Sequence, residues 1–89
     1  MIRQEVEIVN KLGLHARAAA RFVTVASGFE AEIKLRRDGT EVNGKSIMGV
    51  MMLAAARGTR LELEADGPDE EAALARLAEL VANRFDEAE

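Results

Sequence analysis

The chain has 89 residues, room for one domain with a single modest core of two layers, and its 12 Lys and Arg against 16 Asp and Glu leave a net charge of −4. That acidity argues against nucleic acid as a partner, because such affinity comes from basic residues neutralising phosphates, and three Phe as the only aromatics offer little for bases to stack on. With no cysteine and one histidine, disulfides, iron–sulfur clusters, thiolate zinc sites and multi-histidine metal centres are all excluded.

The start, Met1 to Val6, holds no apolar signal core and runs straight into an alternating pattern. Ile2, Gln4, Val6 and Ile8 share one face of a first strand, which Asn10-Lys11-Leu12-Gly13 breaks. Ala19, Phe22, Val23 and Ala26 form one stripe of a helix from about Ala16 to Ser27, with Gly28 where a left-handed glycine is expected to end it. Ala31, Ile33 and Leu35 alternate with charges in a second strand. Asp38-Gly39 then turns the chain into a short third strand around Thr40 to Val42.

Ser46 has the chemistry of an N-cap for a short helix from Ile47 to Leu53 or Ala54. On that helix Ile47, Val50, Met51 and Ala54 make one stripe, so Met48 and Met52 point elsewhere, and exposed methionines suit a surface that docks differently shaped partners. The longest apolar stretch, Ile47 to Ala56, is about half the ~20 residues a membrane span needs, so a cytoplasmic placement is expected. After Gly58, Leu61, Leu63 and Ala65 alternate with charges in a fourth strand. Gly67-Pro68-Asp69 opens a last helix, with Pro68 in its first turn, Asp69, Glu70 and Glu71 at its positive end, and a stripe of Ala73, Leu74, Leu77, Leu80 and Val81. The acidic run Asp86-Glu87-Ala88-Glu89 reads as a frayed, solvated end. The order βαββαβα, with one apolar face per strand, predicts an α+β fold over residues 1–89: a four-stranded antiparallel sheet with helices on one side and solvent on the other.

Two segments could carry chemistry. Gly13-Leu14-His15-Ala16-Arg17-Ala18 places the only histidine where a loop becomes a helix. The N–H groups of the first helical turn, Ala16 to Ala18, have no partner inside the helix and favour an anion. An imidazole there, with Arg17 beside it, could take up a phosphoryl group whose oxygens are held by N–H groups and guanidinium; a lone surface histidine with no function is the plainer alternative. The second segment, Gly39 to Ser46, satisfies G-x-x-x-x-G-K-[ST] letter for letter, yet Thr40-Glu41-Val42 reads as strand and no strand supplies a magnesium-binding aspartate after a clean apolar run. The match is read as accidental; a nucleotide-binding protein using Lys45 and Ser46, or a scaffold that binds partners without cycling phosphate, are the competing classes.

Gly13-Leu14-His15-Ala16-Arg17 and Asn43-Gly44-Lys45-Ser46-Ile47-Met48-Gly49-Val50-Met51-Met52-Leu53 resemble the two signatures of the HPr family, histidine phosphocarriers of the bacterial phosphoenolpyruvate-dependent phosphotransferase system. The resemblance spans essentially the whole chain and implies an open-faced β-sandwich and a carrier rather than a free-standing enzyme. It implies that His15 is phosphorylated on Nδ1 by enzyme I and passes the group to an enzyme IIA, that Arg17 assists, and that Ala16 and Ala18 offer backbone N–H groups to the phosphate. It implies that Ser46 is the regulatory serine of an HPr kinase/phosphorylase, and that Ala20, Arg21, Ile47, Met48 and Met51 form the docking patch. It calls for no cofactor, metal or membrane insertion, and a carrier with one shared docking face is expected to work as a monomer. The Gly44 to Gly49 run looks more like the sugar-type branch than the nitrogen-related one. One departure stands out: the family usually has proline after His-Ala-Arg, and this chain has Ala18, which restores an N–H and relaxes the turn.

Overall fold

The computed structural model describes residues 1–89. Its elements are β1 (Ile2–Glu7), α1 (Ala16–Ala26), β2 (Glu32–Arg37), β3 (Thr40–Asn43), α2 (Ile47–Met52), β4 (Arg60–Asp66) and α3 (Glu70–Ala82). The strands form one antiparallel sheet in the order β1-β4-β2-β3. Alternation decides what each face carries. Val6, Ile33, Leu35, Leu61, Leu63 and Ala65 turn inward and are buried under the helices, joined by Ala18, Ala19 and Phe22 from α1, Val50 from α2 and Leu74, Leu77, Leu80 and Val81 from α3. The outward face is charged, and the register aligns it in rows: Arg3, Glu64 and Lys34 in one, Glu5, Glu62 and Arg36 in the next. Glu64 is 5% exposed and bonds Arg3 Nε at 2.9 Å, while Arg36 pairs with Glu41 and Glu62. This is the α+β open-faced sandwich that the patterning predicts. No helix is long and apolar enough to cross a membrane.

Local chemistry explains most boundaries. Asp38 (φ 48°) and Gly39 (φ 84°) are both left-handed, as a tight hairpin turn requires, and Gly58 has φ 90° in the turn before β4. The Ser46 hydroxyl accepts the Gly49 N–H at 3.1 Å, capping α2. Three expectations are corrected. Gly28 is not left-handed: α1 tightens instead, with the Gly28 N–H on Val25 O at 3.1 Å and the Phe29 N–H on Ala26 O at 3.2 Å, so its last carbonyls are satisfied without that conformation. Pro68 lies ahead of α3 rather than in its first turn, and Asp69, at the cap position, bonds the Glu30 and Ala31 N–H groups, each at 2.9 Å, instead of its own helix. Those bonds hold the Asp69 carboxyl below the usual carboxylate range and tie α3 to the start of β2. On α2 the buried residues are Val50 and, at its C-cap, Leu53; Ile47 and Met51 stay 43% and 39% exposed, and Ala54 lies outside the helix with φ 49°.

One contact sets where α1 begins. The Leu14 N–H donates to Ala55 O at 2.9 Å, fastening the loop before α1 to the chain leaving α2. Gly13 passes so close that an added Cβ would lie 2.4 Å from Ala55 O and 2.9 Å from Ala56 Cα, and its φ is +67°. Replacing Gly13 by Ala is therefore expected to cost about 2 kcal/mol, combining left-handed strain with a backbone clash, and to appear as a lower thermal midpoint.

Candidate functional site

His15 is the N-cap residue of α1, extended at φ −73° and ψ 176°, and its side chain does not cap the helix. The first bond within the helix runs from the Ala19 N–H to His15 O at 2.9 Å, so the N–H groups of Ala16, Arg17 and Ala18 have no acceptor in the protein. The imidazole Nε2 lies 2.6 Å from Glu87 Oε2, with the two side chains 29% and 18% exposed. Glu87 Oε1 accepts a 3.0 Å bond from Asn10 Nδ2, and the same nitrogen donates to Gly13 O at 2.8 Å. Asn10 is fully buried.

The C-terminal segment is thus ordered against the site, which corrects the reading of residues 86–89 as frayed and solvated. Phe85, 3% exposed, sits in the core beside α3 and α1. Around it Arg84, Phe85 and Asp86 are all left-handed, with φ of 59°, 54° and 64°, turning the chain back toward His15. Arg21 grips Asp86 Oδ2 through Nη2 at 2.5 Å and Nε at 3.1 Å, and Lys11 N–H donates to Glu89 O at 2.5 Å. Sequence reasoning missed Asn10 and Glu87. The one available signal was Phe85, an apolar anchor that a frayed end has no use for.

Of the residues expected at the site, Arg17 is exposed and makes no hydrogen bond or ion pair, lining a groove with Leu12, Ala20, Arg21, Phe85 and Glu87. Arg21 lies at the same groove but is committed to Asp86. Ala16 is exposed, Ala18 fully buried and Ala20 half-buried, consistent with a helix that turns one face to the core. Helix α2 packs against α1 and leaves Met48 and Met52 76% and 74% exposed, with Ile47 and Met51 less so. Ser46 lies at the start of that apolar patch with its hydroxyl bound to Gly49. Within the segment that mimics a phosphate-binding loop, Thr40 to Asn43 is β3, paired with β2, and Lys45 Nζ is spent on Phe29 O at 2.7 Å. The accidental reading of that motif stands.

Arg21 and Asn83 hold the Asp86 carboxyl below the usual carboxylate range. A folded-state pKa below the unfolded value means that the anchorage is complete above the ordinary aspartate value of 3.8 and is lost as pH falls through the lower folded value. Amide protection at Asp86 and Glu87, whose N–H groups donate to Asn83 and Arg84, is expected to hold at neutral pH and to fall below that value. In Arg21→Ala the fall should begin at a higher pH.

The family described as "PTS HPr component phosphorylation site" matches residues 2–83. The phosphocarrier protein HPr of Neisseria meningitidis is 53% identical over 89 residues, the whole of both chains, and the phosphocarrier protein NPr of Escherichia coli is 47% identical over 87 residues, 97% of each. The crystal structure of HPr from Thermoanaerobacter tengcongensis superposes with a TM-score of 0.95 at 45% identity, each chain covered in full. A lone histidine before an uncapped helix start, the βαββαβα sandwich and these likenesses together establish that the chain belongs to the HPr family of phosphocarrier proteins of the phosphotransferase system.

Proposed function

We propose that this protein carries phosphoryl groups on His15 Nδ1, accepting them from a phosphohistidine of enzyme I and passing them to enzyme IIA proteins, as a cytoplasmic monomer. The single observation that carries this reading is the placement of the only imidazole directly before the unpaired N–H groups of Ala16 to Ala18, with Arg17 free beside it. In the transfer, the N–P bond at His15 forms as the donor's N–P bond breaks, and the electron pair of the broken bond returns to the donor imidazole. Such a step needs in-line placement and charge stabilisation more than covalent machinery. The N–H groups of Ala16 and Ala18 and the Arg17 guanidinium supply that charge, and replacing Pro by Ala18 adds one donor to the set.

The apolar patch of Ile47, Met48 and Met51 on α2, with Ala20 and Arg21 on the neighbouring α1, is the proposed docking surface. Its modest area suits complexes that form and part quickly, as a relay demands. Ser46 is the proposed target of an HPr kinase/phosphorylase. A phosphate there would be locally favourable at the start of α2 and would charge the patch against an acidic partner.

Intact mass after incubation with enzyme I, magnesium and phosphoenolpyruvate tests the central step. One acid-labile phosphate is expected, absent in His15→Ala; no gain, with enzyme I active on a known carrier, would leave a scaffold. Arg17→Gln is expected to slow transfer by about 10²-fold, the usual cost of losing a charge-stabilising donor. Ser46→Asp should raise KM for enzyme I while kcat changes little.

A further inference from the structure

The chain of contacts from Gly13 O through Asn10 and Glu87 to His15 makes Glu87 more than a tether. Asn10 is fully buried, and its Nδ2 spends both protons, one on Gly13 O at 2.8 Å and one on Glu87 Oε1 at 3.0 Å. Its Oδ1 is buried with no partner. Rotating the amide by half a turn would set that oxygen against two other oxygens, so the side chain keeps an orientation that costs it a hydrogen bond. Asn10 therefore fixes which oxygen of Glu87 is occupied and leaves the other, Oε2, facing His15 Nε2 at 2.6 Å.

A carboxylate oxygen can only accept, so Nε2 must carry the proton. Neutral imidazole has a single ring proton, and placing it on Nε2 leaves the lone pair on Nδ1. We infer that Glu87 is a positioning residue for phosphoryl transfer: through Nε2 it holds neutral His15 in the tautomer whose Nδ1 can attack phosphorus. The inference rests on the carrier reading above and adds to it the tail, which the left-handed turn at Arg84 to Asp86 and the buried Phe85 hold over the ring. During transfer the Nε2 proton stays in place, so Glu87 moves no proton and only sets the state of the ring.

Two substitutions separate this role from simple packing. In Glu87→Gln the side chain keeps its shape, and Asn10 retains the amide oxygen, so the amide NH2 turns toward His15 Nε2. That nitrogen must then accept, which moves the ring proton to Nδ1 and blocks the nucleophile. In Glu87→Ala the ring is merely released. Histidine labelled with nitrogen-15, observed at about pH 8.5, roughly two units above the ordinary histidine range, reports the tautomer directly through its ring-nitrogen shifts. The wild type is expected to show the Nε2–H form alone, Glu87→Ala a mixture, and Glu87→Gln mostly the Nδ1–H form.

Phosphorylation by enzyme I should slow about tenfold in Glu87→Ala and about 10²-fold in Glu87→Gln, with KM unchanged, by analogy with the loss when a triad carboxylate becomes an amide and the histidine takes the wrong tautomer. Mixed tautomers in the wild type, or an unchanged ring signature in Glu87→Gln, overturn the inference. So does faster phosphorylation of Glu87→Ala, which would make the tail an obstruction. A wild type locked in the Nε2–H form yet never phosphorylated by enzyme I would instead overturn the carrier reading on which the inference rests.

Discussion

Two stretches of backbone meet where Gly13 passes Ala55 and Ala56, and the 2.9 Å bond from Leu14 N–H to Ala55 O closes that contact. The constraint is severe, since no side chain can be accommodated on the near side. It joins the histidine loop to the chain leaving α2, so the imidazole and the apolar patch of Ile47, Met48 and Met51 ride on one frame. Under the proposed function, a partner seated on α2 would find His15 at a set distance, as in-line transfer requires.

The site divides its labour between two ends of the chain. Residues 15 to 18 bring the ring, the unpaired N–H groups and the guanidinium, all set by the start of α1. Residues 84 to 89 bring a carboxylate and the means to hold it: a core anchor at Phe85, the Arg21–Asp86 ion pair and the backbone bond between Lys11 and Glu89. Exposed ion pairs contribute little alone. Here burial of the Phe85 ring, about 1.5–3 kcal/mol, offsets part of the strain of three consecutive left-handed residues, each of which costs roughly 1–2 kcal/mol.

The fold was legible because its signals are local. Alternation in Ile33, Leu35, Leu61 and Leu63, the α1 stripe and the Asp38-Gly39 turn each act over a few residues, and the structure keeps them. The positions of His15 and Ser46 at the starts of α1 and α2, and of Arg17 in the first turn of α1, were legible from the helix-start signals. What escaped depends on distant partners. Glu87 bonds a ring 72 positions away, and Asp69 spends its carboxylate 38 and 39 positions away, on strand-entry amides rather than on its own helix. Gly28 misled because a tightened last turn satisfies the same carbonyls as a left-handed glycine would. Composition favoured solvent for Asp86 to Glu89, and only the anchor at Phe85 argued otherwise.

The charged outer face of the sheet has a consequence beyond solubility. Slipping β4 by one residue against its neighbours would drive Glu62 and Glu64 under the helices and expose Leu61 and Leu63, so competing registers are penalised on both faces at once. The edges are guarded too. β1 presents Arg3, Glu5 and Glu7 along its length, and β3 spans only Thr40 to Asn43, leaving a stray strand little flat, apolar edge to extend. The rows of exposed charge thus add little to the depth of the native state, yet they determine which misaligned or aggregated states this sheet refuses.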